Sequence, residues 1–175
     1  MSGRLDGKVA FITGAGSVGP GWGNGRATAV RFAQEGAKVF ATDINLESLD
    51  ETLSLAGEFR NNIKTGVMDV TKTESIKHSI DDCIKAFGAL DILVNIVGGS
   101  AKGGPIEMTE EVWDAQIDFN LKSVFLTCKY ALPEMIKRGG GSIINLASTS
   151  GIRWTGSAQI AYAATKAGVI QFSKV

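Results

Sequence analysis

Histidine is nearly absent from this sequence, cysteine and proline are scarce, and no long apolar run occurs; each lack excludes a class of function. The single histidine, His78, has no Cys or His at ligand spacing, so no metal site is expected and His78 reads as a helix-surface residue. The two cysteines, Cys83 and Cys128, fall in separate segments of helical pattern and read as buried thiols. No run of about 18 or more apolar residues is present to cross a membrane. The segment behind Arg4 passes into a short apolar run and then glycines, without a signal-peptide core, so a cytoplasmic location is expected. Surplus charge is missing too: 18 Lys and Arg stand against 18 Asp and Glu, which leaves nucleic acid no electrostatic footing. Neither repeats nor a low-complexity linker divide the chain, and its length suits one core, so residues 1–175 are expected to form one domain.

Glycine, at 22 residues, is what the sequence holds in plenty. It punctuates an alternation of strand-length apolar runs with longer stretches of helical period, the pattern of βα units around a parallel sheet. Strands are expected at 8–13, 38–43, 65–70, 91–95 and 142–147, and helices at 26–35, 45–60, 73–87, 109–138 and from about 160 onward. The helix at 109–138 carries Trp113, Ile117, Leu121, Phe125, Cys128 and Leu132 at three- or four-residue spacing, a stripe suited to a sheet or a partner subunit. A break near Asn120 is allowed for. The fold class is therefore α/β, a doubly wound parallel sheet.

Directly behind the first strand, residues 13–27 read Thr-Gly-Ala-Gly-Ser-Val-Gly-Pro-Gly-Trp-Gly-Asn-Gly-Arg-Ala, with a helical pattern following. In that context Gly14 would turn the chain off the strand, Gly23 would let backbone approach a pyrophosphate, and Gly25 would let the helix sit close to the sheet. Phosphates would lie over the helix N-terminus, where unpaired amides and the dipole favour negative charge. The bland alternative is a glycine-rich loop with no ligand. A triphosphatase phosphate loop is excluded, because Gly25 is followed by Arg26 and Ala27 rather than Lys and Ser or Thr. Asp43 stands at the end of the second strand, where its carboxylate could accept both ribose hydroxyls of NAD and repel a 2′-phosphate; Ile44 beside it offers no cation. Its alternative role is to cap or precede the next helix. Asp69 and Val70 could hold an adenine edge or simply form an Asp-Val-Thr turn, and both readings stand.

Tyr162 and Lys166 lie four apart in the last expected helix and so share a face. A phenol, with a reference pKa of about 10, is a poor base near neutrality, but an adjacent ammonium favours the phenolate. Such a group can give a proton to the oxyanion left by hydride transfer, or take one from an alcohol. Spacing alone would equally suit a surface tyrosine beside a solvated lysine; the upstream glycine loop is what tips the balance.

Together these motifs resemble the short-chain dehydrogenases/reductases, over essentially the whole chain. The glycine loop is similar to that family's cofactor loop, Asp69-Val70 to its adenine contact, and Tyr162-Ala163-Ala164-Thr165-Lys166 to its catalytic signature. The resemblance implies a Rossmann-like NAD-dependent oxidoreductase acting on a small-molecule alcohol or ketone. Tyr162 is then the general acid/base, Lys166 the residue that holds the nicotinamide ribose and favours the phenolate, and Ser148 a hydrogen-bond partner of the substrate oxygen. Asn120 becomes the fourth catalytic residue, kinking its helix and holding a water that links Lys166 to solvent. The implied cofactor contacts are Gly14, Gly23, Asn24, Gly25, Asp43, Asp69, Val70, Asn95, Tyr162 and Lys166. Two departures stand out: a longer glycine loop, resembling that of a branch with extended loops, and Asn95-Ile96-Val97-Gly98 in place of Asn-Asn-Ala-Gly. Ile96 and Val97 should still line the adenine side. Members usually continue well past Val175 into further strands and a substrate lid. The chain is therefore expected to stop after the fifth strand and the start of the next helix, and as it stands to be catalytically negligible and prone to association. A full-length form is expected to be a dimer or tetramer; the alternative function is an inactive NAD-binding fragment or regulatory protein.

Overall fold

The computed structural model describes residues 3–175. Five strands, β1 (Val9–Thr13), β2 (Lys38–Asp43), β3 (Ile63–Val67), β4 (Ile92–Asn95) and β5 (Ser142–Asn145), form one sheet in the order β3-β2-β1-β4-β5. Every pairing is parallel, in register from Val9 opposite Lys38 to Asn95 opposite Asn145. Helices α1 (Asn24–Gln34), α2 (Leu46–Leu55), α3 (Thr73–Phe87), α4 (Glu110–Ile117), α5 (Ser123–Lys137) and α6 (Ile160–Phe172) connect the strands or follow them. The strand order reverses direction between β1 and β4, which opens a crevice at the strands' C-terminal ends.

The two-residue period of a strand divides the core. Val9 and Phe11 join Phe40 and Leu93 under α3 and α5, and the Phe11 and Phe40 rings stack at 5.7 Å. Ala10 and Ile12 join Val39, Ala41, Ile92 and Val94 under α1 and α2. Small residues Ala29 and Ala33 on α1 meet the sheet there with no exposure, so helix and sheet pack closely. Cys83 and Cys128 are buried free thiols, and burial pushes the Cys83 thiol up to about 12. No helix among the described residues is long and apolar enough to cross a membrane.

Three expected elements are redrawn. The strand at 65–70 is instead Ile63–Val67, because β2 ends opposite Val67 and residues 68–70 lose their partner strand. The helix at 45–60 stops at Leu55; Gly57, at φ +54°, turns the chain into a 3₁₀ segment, Gly57–Asn62. The helix at 109–138 is broken where Asn120 predicts it, by a π-turn over Asp118–Lys122. Its cause is visible: Asn120 Nδ2 donates to the Gln116 carbonyl at 3.1 Å, competing for the acceptor a regular helix would use. Within α5 the expected apolar stripe is not a single core face: Cys128 is buried while Phe125 and Leu132 are exposed.

Candidate functional site

A groove of about 610 Å³ runs across the crevice at the C-terminal ends of β1, β2 and β4, within the size range of small-molecule sites. Its floor is the glycine loop. Gly14 takes φ +65°, a conformation that strains other residues, and a Cβ there would meet Val97 Cγ2 at 2.9 Å. A Cβ on Gly25 would stand 1.7 Å from the Gly14 carbonyl oxygen, so only glycine lets α1 begin this close to β1. Helix α1 starts from Gly23 with no side-chain cap and no acidic residue in its first turn, leaving its amides and positive dipole end open toward the groove.

Asp43 lines the groove at the tip of β2. Its Oδ2 accepts from the Gly16 amide at 3.0 Å and its Oδ1 from the Asn45 amide at 3.1 Å, which fixes the carboxylate while leaving acceptor capacity. The cap of α2 is Asn45, whose side chain accepts from the Ser48 amide, so Asp43 is not the capping residue. Asp69 and Val70 line the same groove, and the Asp-Val-Thr turn is built as well: Thr71 donates to Asp69 through its hydroxyl at 2.7 Å and its amide at 2.8 Å. The hydroxyl bond, foremost, holds the Asp69 carboxyl below the usual range. Ile96, Val97 and Gly98 form the opposite wall, with the Thr13 hydroxyl accepting from the Ile96 and Val97 amides.

Gly98 joins this groove to a second group of residues. A Cβ on it would come within 3.0 Å of both Asn120 Oδ1 and Lys166 Nζ, so these two side chains abut the groove wall from behind. Asn120 is fully buried, its Oδ1 accepting from the Gly99 amide and its Nδ2 donating to the Gly99 carbonyl and to Gln116. Lys166 is 3% exposed and donates to the Leu146 carbonyl at 2.7 Å; its ammonium lies 5.7 Å from the centroid of the Tyr162 ring. No carboxylate pairs with it among the described residues. The Ser148 side chain accepts from the Ser150 amide to start the short 3₁₀ turn Thr149–Gly151, whose Gly151 packs against the backbone of Lys166 and Ala167. Like Tyr162 and Lys166, Asn95 is an expected contact outside the groove lining. It is buried, accepting from the Thr127 hydroxyl and donating to Asn145 Oδ1, both at 2.8 Å, and it does not line the groove.

Burial lowers the pKa of Lys166. The folded chain therefore binds fewer protons than the unfolded chain between that lowered value and the ordinary lysine value. Stability from this source rises with pH across the window, and the penalty is gone above the unfolded value. Lys166→Met is accordingly expected to melt above the parent near neutrality, with the gap closing as pH approaches about 10. Thermal melts of both proteins across that range check it; parallel curves would contradict it.

Sequence reasoning passed over a cluster beneath the glycine loop. Arg26 has no exposure, and Ser48, Glu51 and Thr52 reach it from α2. The available signal was their three- and four-residue spacing, which puts them on one face of α2. A smaller cleft of about 220 Å³ lies beside the first turn of α6, between Trp154, Ile160 and Ala163.

A sequence profile described as short chain dehydrogenase matches residues 8–175. The 3-oxoacyl-[acyl-carrier-protein] reductase FabG of Thermotoga maritima is 42% identical over 171 residues, covering 98% of this chain and 67% of that protein. D-threitol dehydrogenase of Mycolicibacterium smegmatis is 36% identical over 172 residues, 98% of this chain and 64% of that one. Among solved structures, a short-chain dehydrogenase/reductase from Burkholderia xenovorans superposes with a TM-score of 0.94 at 54% identity, over 97% of this chain and 68% of that one. Carveol dehydrogenase from Mycobacterium avium in complex with NAD gives 0.89 at 36% identity, over 97% and 64%. The chain thus spans about two thirds of the length of the relatives it matches. With the profile covering nearly every residue and the Rossmann-like sheet superposing throughout, this chain belongs to the short-chain dehydrogenase/reductase family of oxidoreductases.

Proposed function

We propose that this protein binds NAD in the groove and serves hydride transfer between NAD(H) and an alcohol or carbonyl carbon, with Tyr162 as general acid/base. The observation that carries the reading is Lys166: a buried cation with no carboxylate partner among the described residues, on the helix turn after Tyr162, against Gly98 of the groove wall. Nicotinamide, when bound, supplies the hydride acceptor or donor. The residues present fit such a group. The uncapped start of α1 at Gly23, Asn24 and Gly25 would face the pyrophosphate, Asp43 the adenosine ribose, Asp69 and Val70 the adenine, and Lys166 the second ribose. Tyr162 would move the proton at the substrate oxygen, Ser148 would hydrogen-bond that oxygen, and Asn120 would order the backbone at Gly99 behind Lys166. Asn95, tied to Thr127 and Asn145, would act by holding β4 to β5.

The substrate class is a small-molecule alcohol or ketone. Exposed Trp113, Phe125, Leu132 and Ile136 on α4 and α5 support a homo-oligomer, and two free, buried thiols suit the cytoplasm.

NAD is favoured over NADP because a 2′-phosphate would meet the fixed Asp43 carboxylate, while Arg26, the cation behind the glycine loop, is buried and held by Gly21, Ser48, Glu51 and Thr52. Titration of both cofactors should show tighter NAD binding, and Asp43→Ala should weaken NAD by about tenfold and narrow the preference. Tighter binding of NADP by the parent protein would overturn the assignment.

A further inference from the structure

The inserted part of the glycine loop is held at two points by α2. At its start, the Ser17 amide donates to Ser48 Oγ at 2.6 Å, and that hydroxyl donates back to the Ser17 carbonyl at 3.0 Å. At its apex, Gly21 takes φ +86°, and both of its backbone groups are gripped by one ion pair. Arg26 donates to the Gly21 carbonyl, the Gly21 amide donates to Glu51 Oε1 at 3.3 Å, and Arg26 Nη2 meets Glu51 Oε2 at 2.8 Å. The guanidinium also donates through Nη2 to the Ser48 carbonyl at 3.1 Å and through Nε to Thr52 Oγ1 at 3.2 Å. Thr52 in turn donates to the Ala15 carbonyl at 2.9 Å. A fully buried guanidinium thus ties the loop's apex, its base and α2 together. The loop's outer residues are otherwise open: Val18 and Trp22 are exposed, and a Cβ on Gly19 or Gly21 would touch nothing within 4 Å.

We propose that Arg26 and Glu51 are positioning residues for the dinucleotide: their closed ring with Gly21 fixes the inserted loop as the outer wall of the groove, formed by Gly16, Ser17 and Val18. The proposal rests on the NAD reading above. Neither residue lines the groove, so each acts through the loop. Without the clasp the loop would sample many conformations, and binding would have to order it at the cost of affinity. A planar fork suits this task, since one guanidinium can serve a carboxylate and several carbonyl or hydroxyl acceptors at fixed angles. Because the wall stands at the adenosine and pyrophosphate end, its loss should weaken ADP-ribose and NADH alike.

The test compares the parent with Glu51→Ala and Arg26→Met, each titrated with NADH and with ADP-ribose well below its melting midpoint, alongside amide exchange of residues 16–23 in the ligand-free proteins. The expected result is a Kd raised about tenfold for both ligands, with faster exchange of the loop amides and unchanged exchange in β1 and β2. Arg26 is buried, and its replacement can unfold the protein; Glu51, with a side chain 43% exposed, then decides the matter alone. A Glu51→Ala protein that binds both ligands within twofold of the parent overturns the proposal, whether or not its loop exchanges faster. A loss confined to NADH overturns it too, since the wall does not reach the nicotinamide end. If the parent itself binds neither ligand, the NAD reading falls and takes this proposal with it. That outcome is distinct from a parent that binds and variants that match it.

Discussion

Tyr162→Phe, in any form of the protein that turns over substrate, is expected to lower kcat by about 10²–10⁴-fold while leaving NADH affinity within about twofold. The substitution removes one hydroxyl and keeps the ring, so the packing of α6 and the contact between ring and Lys166 ammonium, 5.7 Å apart, persist. What disappears is the group that can carry a proton at the substrate oxygen. Lys166 is a poor replacement: its ammonium donates to the Leu146 carbonyl and, in the proposed reading, serves the second ribose rather than the substrate oxygen. Ser148 is a poor substitute because its hydroxyl, an acceptor for the Ser150 amide, has no neighbouring base among its hydrogen bonds. Steady-state rates at saturating cofactor, paired with NADH titrations, check the prediction. Turnover within about threefold of the parent would move the acid/base role to another residue.

Gly25→Val is expected to abolish dinucleotide binding and to destabilise the fold by about 3 kcal/mol. A Cβ at this position would stand 1.7 Å from the Gly14 oxygen and 2.6 Å from its carbonyl carbon, which is backbone and cannot rotate away. The start of α1 would have to withdraw from β1, taking with it the amides that face the groove. Gly19→Ala is the matched control: nothing lies within 4 Å of its added methyl, and both stability and binding should stay at parental values. Melting curves and NADH titrations of the two variants give the comparison. Cofactor binding retained by Gly25→Val would mean that the glycine loop does not form the phosphate cradle.

The parallel sheet and most of its helices were readable because strand and helix periods differ and glycine marks their ends. Gly88, for example, closes α3 in a left-handed conformation, at the position where the helical pattern stops. The misplaced third strand shows the limit of that reading. Its bounds were set by where β2 ends, a pairing across about 24 residues of chain that no local pattern carries. The helix expected at 45–60 is cut short for a local reason instead, since Gly57, at φ +54°, turns the chain before Phe59. At the site, glycines and acidic residues around a strand end were legible because each type has few uses there. Asn95 was not, because an asparagine at a strand terminus can face a ligand or a neighbouring strand, and here Asn145 and Thr127 occupy it. Arg26 was harder still: a guanidinium with no exposure requires acceptors from α2, brought near only by the folded loop.

If NAD lies along the groove from Asp43 to Gly98, backbone amide chemical shifts recorded during an NAD titration will report it. The predicted result is saturable shifts at Gly14, Gly16, Asp43, Asp69, Val97 and Gly98, with Lys166 responding at one end, and little change around Trp154 and Ala163. No shift at millimolar NAD, or shifts confined to the cleft beside Trp154, would contradict it.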